Sequence, residues 1–439
     1  MKHIHSFILT ARALFAAVAQ SINLHVRAVA YIGFCYLTRF MGKFGMIAYA
    51  NTLTQLIPTL YEALDVVSRE LVGFIPAVSR NSNAERAALN QTINIPIVGA
   101  ITAGDVTPAA TPPDDGDAAP DNTTMTISKS RYTPVRWSGE EQKSLGSNGM
   151  FNPVLRDQFT QAMRTLVNEV EADLAALHIY CSRAYGTYNA APFGTAGDFT
   201  DFSNVNRILD DNGAPSSDRQ LVLGSAAIAN VKGKQNVLFK ANEAGTTDLL
   251  RLGILGMVEG VQLHASAAVV KSAAVGTSNS AGTTNAAGYA IGAVTITLAS
   301  AGTGTLIAGD IITFTGDTNK YVVKTGDTDM SNGGSIVLQE PGLMKAIAAS
   351  ATTITLIAAT DRNMAFSRSA IQLATRLPAL PDGGDMADDR MTITDPISGL
   401  SFEVSVYRQY RRVKYEVAIA WGVKHTAPRH SALLIGPAS

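Results

Sequence analysis

Eight apolar residues, Leu155, Phe159, Met163, Leu166, Val170, Leu174, Leu177 and Cys181, recur at steps of four, four, three, four, four, three and four. That spacing keeps them on one face of an α-helix, because about 3.6 residues complete a turn. Asn152-Pro153 supplies a start: a capping side chain, then a proline at the first helical position, where no N–H is needed. The spacing predicts a helix from Pro153 to about Tyr185, roughly 50 Å long at 1.5 Å per residue. A rod of that length exceeds the diameter of a small domain, so it reads as a spine along which the rest of the subunit is laid. Arg156, Asp157, Arg164, Glu171 and Asp173 fall on its other faces.

The chain has 439 residues, room for two or three domains, and 46% of them are hydrophobic. Only 16% are charged, against roughly 25% in ordinary soluble domains. A surface short of charge is suited to burial in subunit contacts. The formal net charge of −1 excludes a dedicated nucleic-acid binder, which is clearly basic. Contact with DNA is therefore expected to be weak and non-specific. Cys35 and Cys181 cannot build a disulfide framework or a CxxC metal site, which suits a reducing cytoplasm.

Residues 1–45 carry Lys2, Arg12, Arg27, Arg39 and Lys43 and no acid. Three readings fit them: a start codon placed ahead of Met46, an amphipathic arm that docks on a neighbour, or an export signal with Ala17-Val-Ala19 as its cleavage site. A membrane-spanning helix needs about 20 apolar residues, and the basic residues interrupt every candidate. From Met46 onward, Leu53, Leu56, Ile57, Leu60, Leu64, Val67 and Leu71 predict a helix capped by Asn51 or Thr52. Asn81–Gln91 is polar and reads as a connector.

Ile93, Ile95 and Ile97 alternate as in a strand. Gly104–Asn122 then holds four prolines together with Asp105, Asp114, Asp115, Asp117 and Asp121, the composition of an exposed loop. A returning strand follows around Met125, Ile127 and Lys129. Residues 91–138 are thus expected to form a long two-stranded arm with an acidic tip, with Lys129, Arg131 and Arg136 on its returning limb. Such a ribbon is marginal alone in water. A neighbouring subunit is the expected support.

Leu221–Leu223 reads as a strand, Ala226–Lys232 as a helix, Asp248–Leu255 as a helical turn and Val261–Leu263 as a strand. Lys271–Gly292 is linker-like. Short strand candidates then recur at 293–299, 311–315, 320–325, 335–338 and 352–357, separated by Gly/Asp turns. They predict a small β-barrel or sandwich, inserted, because a strand resumes at Asn363–Pro378. Phe402–Val406 and Tyr415–Trp421 follow as a second strand pair.

Catalytic motifs are missing from this pattern: HExxH, a Walker loop, GxSxG and CxxC do not occur. Asp114, Asp115 and Asp117 lack the closing Glu of a calcium loop. Asp317, Asp327 and Asp329 suit turns for backbone reasons. No catalytic, cofactor or metal residue is assigned. Arg408, Arg411, Arg412 and Lys414, interleaved with Tyr407, Tyr410 and Tyr415, fit either nucleic-acid contact or a strand edge whose cations meet a neighbour's acids. Near-zero net charge favours the second. Arg408, Arg412 and Lys414 share one strand parity and are expected to face the acidic loop around 114–121.

The order of these parts resembles the major capsid proteins of tailed phages, the Hong Kong 97-type fold, over about residues 46–439. The stretches that carry the resemblance are Asn51–Ser82, Asn363–Pro378, Val417–Val423 and Arg429–Gly436. Among such proteins the chain looks most like the coat proteins of the short-tailed Salmonella phage group, although its insertion is shorter. The resemblance implies an α+β chain with an N-terminal arm (46–90), an extended β-hairpin loop (91–138), and a spine helix with peripheral domain (139–190). It further implies an axial domain (191–270), an inserted β domain (271–358) and a return to axial and peripheral domains (359–439). Its function would be structural: hexamers and pentamers of itself forming an icosahedral shell around double-stranded DNA, assembled in the bacterial cytoplasm with scaffolding and portal proteins. A β-rich phage tail or surface-binding module is the alternative class.

Overall fold

A computed structural model describes residues 57–68, 73–97, 106, 108, 121–146, 151–235, 256–279, 281–395 and 399–438. The caps at Asn51 or Thr52, the helical turn at 248–255, the acids Asp114, Asp115 and Asp117, and the whole of 1–45 lie outside these residues.

The chain is α+β. Helix α1 (Ile57–Ser68) and the single turn α2 (Phe74–Ala77) lead into β1 (Ser79–Ala87), β2 (Thr92–Ile97), β3 (Asp121–Thr126) and β4 (Lys129–Ser138). Helices α3 (Gly139–Gly146) and α4 (Phe151–Ala175) precede β5 (Arg183–Tyr185). Then come α5 (Thr200–Asp211), β6 (Arg219–Leu223), α6 (Ser225–Lys234), β7 (Met257–Val258) and β8 (Val261–Ala265). Five short strands follow: β9 (Thr295–Leu298), β10 (Ile311–Phe314), β11 (Lys320–Thr325), β12 (Gly334–Leu338) and β13 (Ile354–Leu356). The chain closes with β14 (Arg362–Ser367), β15 (Ile371–Pro378), β16 (Asp389–Thr394), β17 (Ser401–Gln409), β18 (Arg412–His425) and β19 (Ser431–Ile435).

All eight residues of the apolar stripe are buried, but the helix is shorter than its stripe. It ends at Ala175, and Ala176–Tyr180 tightens into a 3-10 turn. Cys181 is already extended, because the next residues are drawn into a sheet: Arg183–Tyr185 pairs with β19 and β11. The helical part is therefore about 37 Å long at 1.5 Å per residue. Burial pushes the Cys181 thiol up to about 12, so it packs as a small apolar residue.

Among the described residues the strands form two large sheets and the separate two-stranded hairpin β2-β3. The larger runs β13-β10-β11-β5-β19-β14-β6-β8-β7, with β12 and β9 continuing from β11. Helices α5 and α6 cover its β6, β8, β14 and β19 portion around Phe202, Leu209, Leu221, Leu263 and Leu434. Phe193 stacks on Phe202 at 4.1 Å. The smaller sheet runs β1-β15-β18-β17-β16, with β4 along the other edge of β18.

Asn363–Pro378, expected as one resuming strand, is two. A 3-10 turn at Arg368–Ala370 divides it into β14, in the larger sheet, and β15, in the smaller. The polar run Ser367-Arg368-Ser369 breaks the alternation that would have carried a single strand onward, and the stretch becomes the crossover between sheets. Asn81–Gln91 is also corrected, from connector to strand in its first part. β1 pairs in parallel with β15, and polar contacts add to the ladder. Arg376 donates to the Asn81 carbonyl at 2.7 Å, Thr375 meets Ser82, and Arg86 pairs with Glu403.

Residues 271–358 leave and return between β8 and β14, which both flank β6. In between, β9-β12-β11-β10-β13 form an antiparallel sheet. Bridges Thr283↔Thr353 and Thr284↔Leu298 join its two outer strands and close it into a small barrel. The barrel has its own core, including Ile296, Phe314, Val323, Ile336 and Ile354. Its wall continues into the larger sheet, since Lys320 and Tyr321 pair with Ala184 and Arg183. The turns need their glycines: a Cβ on Gly326 would lie 1.9 Å from the Leu306 carbonyl oxygen. Asp317, Asp327 and Asp329 accept hydrogen bonds from backbone N–H groups two residues on, the turn role expected of them.

Candidate assembly surface

The smaller sheet has two unlike faces, set by the register of β18 with β4 and β17. One set of cross-strand partners, Tyr415, Val417, Ile419 and Trp421 with Val135, Val404 and Val406, faces α4. Tyr415 meets Phe159 edge-on at 5.5 Å. Trp421 is fully buried and donates from Nε1 to the Asp173 carboxylate at 2.8 Å. The other set, Tyr132, Arg136, Tyr407, Arg412, Lys414 and Glu416, forms a polar face turned away from α4.

Lys129 and Arg131 belong to the helix side. Lys129 Nζ reaches Asp173 at 2.7 Å, and Arg131 pairs with Glu169 at 3.2 Å. The spacing is matched: two residues along a strand span about 6.6 Å, and four along a helix about 6 Å. The sequence carries that match as 129/131 against 169/173. Glu171, between these acids, is buried on another face of α4. It accepts from the backbone N–H groups of Phe74 at 3.1 Å and Ile75 at 2.7 Å, and from the Ser266 hydroxyl at 2.9 Å. Burial raises its carboxyl above the ordinary range, with these hydrogen bonds opposing.

The ribbon is not left without support from its own chain. β2 and β3 pair as a hairpin from Thr92↔Thr126 to Ile97↔Asp121, but the returning limb then leaves it. β4 pairs with β18 over ten residues, Lys129–Ser138 against Arg412–Trp421. The alternation of Val135 and Trp137 gives that limb a buried face, and the sheet is where it can be buried. The hairpin's root is packed on the sheet through Met125 and Ile127 against Ala374 and Ala420. Ser128 N–H donates to the Trp421 carbonyl at 3.0 Å, and Lys424 binds Thr123 and the Thr124 carbonyl at 2.5 and 2.6 Å.

Gly422 lets the root come this close. A Cβ there would lie 2.1 Å from the Thr126 carbonyl oxygen, a backbone atom with no freedom to rotate away. Gly422→Val is expected to cost about 2–3 kcal/mol through forced displacement. It should also speed hydrogen exchange at Ile127 and Ser128. Unchanged exchange at those two amides would contradict the close approach.

The basic run is a hairpin rather than one strand. Tyr410 and Arg411 form its turn, with Arg411 at φ +55°, and Gln409 pairs with Arg412. The turn resets the parity, so Arg408 lies opposite Val413, on the other face from Arg412 and Lys414. Arg408 binds Asp388, through its side chain at 3.7 Å and its N–H at 2.8 Å. Lys414 is held by Glu416 and lies over the rings of Tyr132 at 4.8 Å and Tyr407 at 5.3 Å, a cation between two negative π-faces. Arg136, across from Lys414, is exposed, as are Arg411 and Arg412. Arg411 stacks on Tyr410, which is 87% exposed. Gly139, Glu140, Gln142, Tyr410, Arg411 and Arg412 border a groove of about 600 Å³ beside the turn.

Burial pushes His178 and His425 down to about 4, so both are neutral at pH 7. Among the described residues, no group of three or more His, Cys, Asp or Glu could hold a metal ion. Among the same residues, no helix is long and apolar enough to cross a membrane.

No family model matches the chain, and no curated protein matches it. Solved structures that the chain matches include one from a phage, a phage capsid and a virus-like particle. A structure from Mycobacterium phage Che8 is 11% identical, with 79% of this chain and 84% of that one covered at a TM-score of 0.40. The capsid of cyanophage P-SCSP1u is 11% identical over 83% and 87%, at 0.41. A virus-like particle from Pyrococcus furiosus is 8% identical over 86% and 98%, at 0.39.

Proposed function

We propose that the chain is a major capsid protein of the Hong Kong 97-type fold, a structural subunit that assembles with itself into an icosahedral shell around the double-stranded DNA of a tailed phage or prophage. The observation that carries this reading is the combination of a helix-backed sheet with a two-stranded ribbon rooted on it and directed past its end. A subunit of that form has one surface to lay in a wall and one arm to reach a neighbour. The low charge of the sequence supports extensive contact between copies. The barrel of 283–356 stands as an inserted domain, the feature in which the chain is most like the short-tailed Salmonella phage group. Scaffolding and portal proteins are the expected partners of assembly in the host cytoplasm, and DNA contact is weak and non-specific. Electron microscopy of the purified chain tests the proposal, with closed shells or rings as the expected result and a lasting monomer as the contrary one.

A further inference from the structure

Arg362 opens β14 at the seam where the barrel joins the rest of the subunit, and it is 1% exposed. Among the described residues, none of its nitrogens Nε, Nη1 and Nη2 has a hydrogen-bond partner. Its backbone is well held. The Arg362 N–H donates to the Val270 carbonyl at 3.0 Å, and the Thr360 carbonyl accepts from Ala273 at 3.3 Å. Asp361, between them, bonds instead to Pro437 and Gly436 on the other edge. That alternation is extended backbone, so the side chains of Thr360 and Arg362 share one face and Asp361 takes the opposite one. Thr360 is fully buried, and its hydroxyl also has no partner among the described residues.

Two groups lie close enough for the guanidinium charge to act on them. His178, in the 3-10 turn after α4, is neutral at pH 7, and its Nδ1 is 3.2 Å from the Ala175 carbonyl. Asp310, in the barrel, is fully buried, and its carboxylate accepts from the N–H groups of Gly276 at 3.0 Å and Ile307 at 2.8 Å. Burial raises that carboxyl, opposed chiefly by those two N–H groups and least by Arg362. No ion pair within 4 Å joins Asp310 to Arg362 among the described residues. A buried cation with no counter-charge in contact is among the costliest arrangements in a protein interior.

We propose that Arg362 and Thr360 form a buried site for a small inorganic anion of halide size, with chloride as its occupant. A guanidinium offers donors only, and the Thr360 hydroxyl adds one more. An ion that only accepts satisfies them and neutralises the charge, whereas a water would bring protons of its own to place and no charge. The seam is close-packed, which favours a single atom over a bulky oxyanion. A Cβ on Gly309 would lie 2.6 Å from Ile179 Cγ2, and Gln339 donates to the Ile179 carbonyl at 3.0 Å. The ion sits where the chain leaves for the barrel, at Val270–Gly276, and where it returns, at Thr360–Arg362. It therefore braces the barrel against the end of α4. The site is complete within one subunit and does not depend on the shell reading.

Thermal unfolding of the full-length chain, with chloride replacing gluconate at constant ionic strength, tests the site. A saturating rise in Tm is expected, at least about 2 °C once chloride exceeds its Kd a hundredfold. Hydrogen exchange at the Ala273 and Arg362 amides should slow in step. Bromide should substitute for chloride, and sulfate should not. Arg362→Met keeps the length of the side chain without its charge and should abolish the chloride dependence. Thr360→Val should raise the chloride Kd about tenfold. A Tm indifferent to the exchange overturns the proposal. So does an equal rise in Arg362→Met or with sulfate, since either would mark a general effect of salt. If Arg362→Met does not fold, Thr360→Val decides, and an unchanged chloride Kd in that variant overturns the site.

Discussion

Trp421→Ala is expected to destabilise the fold by about 3–5 kcal/mol, the range for removing a large aromatic from a close-packed core. Trp421 is fully buried in β18 beneath α4, and its indole N–H donates to Asp173. Lys129, bonded to the same carboxylate, lies 5.9 Å from the ring centre. Truncation opens a cavity between helix and sheet and removes one of the two donors that hold Asp173. Trp421→Phe keeps most of the volume and loses only the donor, so about 1–2 kcal/mol is expected. Urea unfolding followed by circular dichroism measures both. An Ala variant within about 0.5 kcal/mol of wild type, the range of unremarkable surface changes, would contradict the packing of the sheet on α4.

Glu171→Ala is the second large effect, about 3–5 kcal/mol. It strips the acceptor from two buried backbone N–H groups and one hydroxyl, at about 1–3 kcal/mol for each donor left unsatisfied. Glu171 ties α4 to the turn Phe74–Ala77 and to Ser266, which follows β8, so three separate parts of the chain depend on it. The raised carboxyl pKa fixes the sign of a pH effect. A group that binds its proton more tightly when folded contributes stability that is complete below its unfolded pKa and lost as pH rises through the folded one. Stability should therefore decline as pH climbs above the ordinary glutamate value of 4.5. Glu171→Gln, a neutral mimic, should remove that slope and cost less than the Ala variant. A wild-type stability that rises through this window, with the Gln variant following it, would contradict the assignment.

Much of this architecture was legible in the sequence because its signals are periodic. The stripe from Leu155 to Cys181 marked buried residues without exception, and the five Gly/Asp-punctuated strands of the barrel were found near their true positions. Signals failed where pairing overrides local pattern. Residues 79–87 have no apolar alternation, and β1 exists because it pairs in parallel with β15, with polar contacts adding to the ladder. The last turns of the stripe retain helical spacing, yet sheet pairing at Arg183 ends the helix early. The returning limb Lys129–Ser138 was read as an arm for a neighbour, because sequence gives no sign that its partner is β18, nearly 300 residues on. For the cations, parity along Arg408–Lys414 assumed one strand, and the turn at Tyr410-Arg411 invalidated it. What remained readable was the contrast of a basic corner and an acidic segment.

Cryo-electron microscopy of the purified chain over a range of concentrations tests the central claim most directly. Closed particles with fivefold and sixfold clusters of the subunit are expected, the smaller sheet and its helix of about 37 Å (1.5 Å per residue) lying in the shell wall and each ribbon crossing to a neighbour. A chain that stays monomeric at every concentration, or that forms only particles whose ribbons fold back on their own subunits, would contradict the account.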